Sequence, residues 1–293
     1  MKIQTKLSTL LVAASLPATA LAVGPSVANA GTVAVTARSV AVDTVARPGA
    51  PGKPKVVKLR SSDRRVTASD STFRPGVTEF RVVKTAHHGS SLAIVETDNL
   101  DLAFQKLGKA ISGAPGSADA MKAVDRIITA YGGGANGAVW QVELSKGTYY
   151  ILDNKTNKMT TFTVRGERRS ATMVQPDSEV WTTKQNQFET SGDLTGEWIS
   201  FTNHSREIHF LEASRVARDT TAKDVRQSFK SQQEPTFGRP GGFFFEVQSP
   251  GIETVHRQSV EAGKYLLMCW MPSEQQDGTP HAMMGMWHLV MGS

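Results

Sequence analysis

Hydrophobic positions are spaced in two ways along this chain, and the spacing predicts mostly strands. Residues 197–203, 208–216, 242–248, 252–260 and 265–271 are short runs of aromatic and β-branched residues. Gly, Pro, Asn and Asp separate them, as turns between strands require. Two further strands are expected at 160–164 and 287–291. Apolar residues instead recur at helical spacing over 98–111 and 118–131, and more weakly over 221–230. Many short strands with regular turns predict an all-β chain of β-sandwiches, with the helices as short insertions capping one end.

The pattern also repeats. Thr78-Glu79-Phe80-Arg-Val-Val-Lys84 echoes Thr195-Gly-Glu197-Trp198-Ile-Ser-Phe201. Trp140-Gln-Val-Glu143-Leu-Ser-Lys-Gly147-Thr-Tyr149 echoes Arg257-Gln-Ser-Val260-Glu-Ala-Gly263-Lys-Tyr265. In each copy a Gly-x-Tyr opens a strand. A repeat of this length means two related units, expected over 66–168 and 169–293.

Residues 1–30 read as an export signal: Lys2 and Lys6, an apolar stretch from Leu10 to Val23, then Ala28-Asn29-Ala30 as a small-residue cleavage site. Cleavage after Ala22 is the rival. The stretch is too short and too often interrupted to span a membrane, and nothing later is long enough. The expectation is a secreted or extracytoplasmic protein with no transmembrane segment.

Charge is unevenly placed along the chain. Residues 31–65 hold eight Lys/Arg and two Asp, a net +6, while 66–293 carry −2 once Lys2 and Lys6 are set apart from the total of +6. With Arg47-Pro-Gly-Ala-Pro-Gly-Lys53-Pro-Lys55 in it, 31–65 is expected to be a basic, semi-rigid linker. It would serve as a spacer or hold an anionic envelope surface. Nucleic acid is not an expected partner of an exported chain whose basicity is confined to such an arm.

Cys269 is the single cysteine, so it closes no disulfide within the chain. Pro280-His281 and Gly285-Met286 follow on the same strand-loop-strand segment, and His209 lies upstream. A thiol, two imidazoles and a weak thioether are the soft donors of a trigonal blue-copper site. Trp270, Met271, Met283, Met284 and Trp287 would form an apolar collar around it.

Two motifs in the second unit resemble the cupredoxins, the plastocyanin-like Greek-key sandwiches. Phe201-Thr-Asn203-His-Ser-Arg-Glu-Ile-His209 is similar to the family segment in which an Asn precedes the first copper-binding His by six positions. Gly263-x-Tyr265-x-x-x-Cys269 … His281-x-x-x-Gly285-Met286 is similar to its C-terminal ligand loop. Between Cys269 and His281 stand eleven residues, more than in the family's small electron carriers. The resemblance implies two Greek-key cupredoxin-like sandwiches and one type 1 copper ion per chain. His209, Cys269, His281 and Met286 would be its ligands, and Asn203 would steady the loop leading to His209. The first unit is related through the repeat alone. There Ser91 is aligned with His209 and Asp153 with Cys269, so no type 1 copper is expected in it.

The resemblance implies electron transfer or copper handling, with a redox partner protein or a copper donor or acceptor. A metal-free binding module of the same fold at the cell envelope is the alternative. Catalysis is not expected. The chain has no His-x-His, and Cys269 is flanked by Met268 and Trp270 rather than by a histidine that could lead to a second copper. Gly-x-Ser-x-Gly and His-Glu-x-x-His are likewise missing. His87, His88, His204, His256 and His288 read as surface or sandwich residues.

Overall fold

A computed structural model of the chain describes residues 52–112, 114–231, 237–276 and 278–293. The expected export signal and most of the expected basic arm, residues 1–51, lie outside the described residues. The chain is all-β with few short helices.

The first unit runs β1 (Lys55–Ser61), β2 (Val66–Ala68), β3 (Thr72–Phe73), β4 (Gly76–Lys84), β5 (Ser91–Glu96), α1 (Leu100–Ala110), α2 (Ser117–Ile127), β6 (Thr129–Ala135), β7 (Val139–Leu144), β8 (Gly147–Asp153) and β9 (Met159–Val164). The second runs β10 (Ser178–Thr182), β11 (Phe188–Gly192), β12 (Trp198–Asn203), β13 (His209–Val216), α3 (Ala222–Ser231), β14 (Gly238–Gln248), β15 (Glu253–Arg257), β16 (Gly263–Met268) and β17 (Trp287–Gly292).

One sheet has the order β11-β10-β12-β15-β7-β4-β1-β2, the other β17-β16-β13-β14-β6-β5-β8-β9-β3. Each order reads the same from both ends once repeat partners are matched, with β3 the single extra strand. The units therefore join edge to edge, β15 on β7 in one layer and β14 on β6 in the other. Joining them hides four strand edges, two in each layer, that would otherwise be open to pairing with other chains. Each unit keeps its own core between the layers. One core centres on Phe80, Trp140, Tyr149 and Phe162, the other on Phe201, Leu211, Phe245 and Tyr265.

Two expectations need correction. The linker reading of 31–65 fails from Lys55 onward, because β1 pairs in parallel with β4 along its length. Val57 and Leu59 are fully buried while Lys58 and Arg60 face solvent. A period-two alternation lay beneath the basic composition, and burial of two aliphatic side chains overrode it. The helix expected over 118–131 stops at Ile127. Ile128 is extended (φ −118°, ψ 134°), and Gly132–Gly134 run in β6 beside β5. A Cβ at Gly133 would collide with the Leu92 carbonyl, so the close strand approach needs glycine there.

Candidate metal centre

The candidate donors come from two strands of one layer and the loop that follows. His209 opens β13, and Cys269 follows the last residue of β16, its antiparallel neighbour. The segment between Cys269 and His281 folds as its own hairpin. Its neck closes by a Pro272–Pro280 bridge, with Ser273 N–H donating to Thr279 O at 3.0 Å. The base is pinned by Ala282 N–H to Cys269 O at 2.7 Å and His281 N–H to Met271 O at 2.9 Å. The loop's length is thus spent above the neck, and His281 is held at strand-neighbour distance from Cys269. A single 3-10 turn, His281–Met284, ends at Gly285, whose φ of 101° turns the chain back. Met286 N–H then donates to His281 O at 2.9 Å.

Cys269 Sγ lies 3.5 Å from His209 Nδ1 and 3.8 Å from His281 Nδ1. The two imidazoles sit 4.6 Å apart at 57°. His209 and Cys269 are fully buried, and His281 and Met286 are 1 % exposed. With metal–sulfur bonds of about 2.3 Å and metal–nitrogen bonds of about 2.0 Å, ligands set at 120° lie about 3.7 Å apart. The observed spacings straddle that value, so these donors fit a trigonal soft-metal site. Met286 is packed in the same apolar cluster as Cys269.

Burial drives the His209 imidazole well below its ordinary range, with the charge of His281 adding to the effect. At His281 burial acts in the same direction, but the Cys269 thiol and the Glu207 carboxylate outweigh it and raise the imidazole to about 9. Glu207, itself 3 % exposed, accepts from His281 Nε2 at 2.8 Å. Burial pushes Glu207 up, and its hydrogen bonds to His281 and to the Glu274 N–H prevail, leaving it lowered.

No family profile matches the chain, and no curated protein matches it either. Among solved structures it is similar to the dithionite-reduced auracyanin of Roseiflexus castenholzii, at 18 % identity. That match covers 39 % of this chain and 93 % of the other, with a TM-score of 0.24. Auracyanin A of Chloroflexus aurantiacus, a blue copper protein, gives 14 %, 39 %, 94 % and 0.23. The copper nitrite reductase of Nitrosomonas europaea gives 10 %, 82 %, 94 % and 0.22. Overlaps this loose support no argument about the site, which stands on its own geometry.

The repeat shows what the first unit carries at the equivalent place. Leu92 pairs with Asp153, and Glu212 pairs with Met268, so Leu211 falls opposite Cys269. Leu92 therefore matches Leu211, and Ser90, not Ser91, takes the position of His209. Counting along the sequence through a loop misses by one, whereas the strand ladder fixes the register. Ser90 Oγ and Asp153 Oδ1 lie 3.4 Å apart, both residues buried. Asp153 also accepts from the N–H groups of Lys155 and Thr156, so it shapes a turn.

The first unit nevertheless walls the site of the second. Ala110 of α1 and Ala120, Met121 and Val124 of α2 share one apolar cluster with Cys269, Met271 and Met286. Gly278 of the ligand loop, at φ 81°, rests against Ser117 and Ala110. Asp125 of α2 accepts from Ile208 N–H, one residue before His209. Its carboxyl is pushed up to about 9 by burial first, then by the neighbouring Glu274 and Glu207 carboxyls.

Asn203 is fully buried. It donates to the Glu207 and Gln248 carbonyls at 2.9 and 2.8 Å, and accepts from the Thr182 and Ser205 hydroxyls at 2.7 Å each. That frame holds the loop ahead of His209. The expected collar divides instead of closing. Met271 is buried beside Cys269, Trp270 and Trp287 lean on Phe229 of α3, and Met283 is exposed. His204 is exposed, and His87 pairs at the surface with Asp63 at 2.8 Å. His256 is a core residue stacked 3.8 Å from Phe245, its imidazole lowered by burial to about 3.

Glu207, Asn186 and Asp125 were not singled out from the sequence. Glu207 stands in the quoted motif two positions before His209, but nothing in that spacing shows that it reaches the other histidine.

Proposed function

We propose that the chain is an exported, cupredoxin-like protein that binds one copper ion. His209, Cys269 and His281 would be the strong ligands and Met286 the weak fourth. The observation that carries this reading is the Cys269 thiol lying between two imidazole Nδ1 atoms at 3.5 and 3.8 Å, all three residues buried. Copper there supplies a one-electron Cu(I)/Cu(II) couple. The protein's own part is to hold the donors in place without the metal, so that neither oxidation state demands rearrangement. It also keeps water from a thiolate that would otherwise oxidise.

We read the role as electron transfer or copper handling for a redox partner protein or a copper donor or acceptor. Catalysis is not part of this reading, because Met268 and Trp270 beside Cys269 offer no imidazole bridge to a second metal. The basic arm before Lys55 would serve attachment to an anionic envelope surface. Consistent with a chain that does not span the bilayer by helices, no helix among the described residues is long and apolar enough to cross a membrane.

The test is to prepare residues 31–293 free of metal, add one equivalent of Cu(II), and record visible absorption and EPR spectra. An intense red-light band with narrow copper hyperfine splitting is expected, and C269S should abolish both. Binding of Cu(I) alone would favour copper handling. Binding of neither ion would overturn the assignment and leave a metal-free binding module.

A further inference from the structure

Both imidazoles turn Nδ1 toward Cys269 and Nε2 away from it, and the outer nitrogens meet one continuous bracket. His281 Nε2 lies 2.8 Å from Glu207 Oε2. His209 Nε2 lies 3.4 Å from Asn186 Oδ1, and Asn186 Nδ2 donates to Glu207 Oε1 at 2.8 Å. The bracket is itself fixed, because Glu207 also accepts from Glu274 N–H at 3.0 Å and Gln275 Nε2 at 3.3 Å. Asn186 is held at φ 54° in the turn between β10 and β11. The side chains of His281 and Glu207 are 1 % and 4 % exposed.

Resting on the copper reading, we infer that Glu207 is a positioning residue that acts through His281 to favour Cu(II) over Cu(I) and so to lower the reduction potential of the site. A carboxylate only accepts hydrogen bonds, so the proton of neutral His281 is kept on Nε2 and the Nδ1 lone pair faces the metal position. The charge of Glu207 matters as much as its geometry. With the Cys269 thiolate it gives two negative charges, which balance a divalent ion and leave one uncompensated against a monovalent ion. Net charge in a buried site is costly, so reduction by one electron is disfavoured. A unit charge one imidazole away, across an effective dielectric of about 20, changes the Cu(II)/Cu(I) affinity ratio by one to two powers of ten. Glu207 accepts from four donors, on His281, Asn186, Glu274 and Gln275, and donates to none of them, as an ionised carboxylate does.

The experiment is a spectroelectrochemical titration of the copper-loaded chain and of E207Q, whose amide oxygen still accepts from His281 Nε2 but carries no charge. In E207Q the red-light band should persist. The Cu(II)/Cu(I) affinity ratio should fall ten- to a hundredfold, a rise in potential of about 59 mV for each tenfold. N186A, which removes no charge, should shift the potential less than E207Q. An unchanged potential in E207Q with the band intact overturns the inference while leaving the copper reading in place. A wild type with no copper band overturns both. If E207Q does not fold, long-range 15N–1H spectra of the wild-type Cu(I) form decide. A strongly downfield, slowly exchanging His281 Nε2 proton supports the hydrogen bond to a charged Glu207, and an Nε2 proton that exchanges like that of a free imidazole overturns it.

Discussion

Glu246 offers a sharp test of how the two units are joined. It lies on β14, fully buried, and its Oε1 accepts from the Ser91 hydroxyl of β5 in the other unit. Its Oε2 has no hydrogen-bond partner. Burial raises this carboxyl from 4.5 to about 7, against smaller opposing effects of Ser91 and the Val247 N–H. Between those two values the folded chain holds a proton that the unfolded chain has lost. Stability therefore falls as pH rises through that window and stays low above it. Two and a half pH units at about 1.4 kcal/mol each give a loss of about 3.5 kcal/mol. E246Q keeps an acceptor for Ser91 and removes the ionisation. Urea unfolding of both proteins at pH 4 and pH 8, followed by far-ultraviolet circular dichroism, measures the difference. At pH 8 the variant should be more stable than wild type by about 3–4 kcal/mol, and at pH 4 the two should agree within about 0.5 kcal/mol. A difference independent of pH, or a variant less stable at pH 8, would refute the argument that Glu246 is forced to ionise inside the seam.

Two further outcomes are expected from the fold and the site. N203A removes four hydrogen bonds from the buried loop, although Ser205 Oγ and the Glu207 carbonyl still have each other. It should cost about 3 kcal/mol in urea unfolding, and copper affinity should fall with it because the loop before His209 loses its frame. V57D places a charge at a fully buried position of β1 and should destabilise by more than about 4 kcal/mol. K58D on the solvent face of the same strand should change stability by no more than about 0.5 kcal/mol. Equal effects of the two would return residues 55–61 to the status of a linker.

Much of the fold was legible because strand periodicity is a local signal. The second unit shows this best: β13 and β17 were expected within a residue of their observed ends, since aromatic and β-branched runs there are bounded by turn residues on both sides. β1 was missed because its alternation is short and carries three cations. Composition spoke louder than pattern, and only pairing with β4 reveals which side chains are buried. The end of α2 was missed because Ile127, Ile128 and Thr129 continue an apolar run that suits either element. The neighbouring strand β5 decided between them.

The soft-donor set could be read from residue types alone, because a lone thiol followed by His and Gly-Met has few other chemical uses. The repeat, too, was visible without coordinates, since each unit must bury the same alternating faces. Tertiary structure decided what surrounds those donors. Glu207 reaches His281 rather than its sequence neighbour His209, because the ligand hairpin folds down onto the loop between Asn203 and His209. Helices from the first unit wall the centre of the second because the layers join at β7 and β6, carrying α1 and α2 across the seam. Sequence spacing records which donors share a strand or loop, while contacts between segments far apart in the chain are set only when the sheets pack.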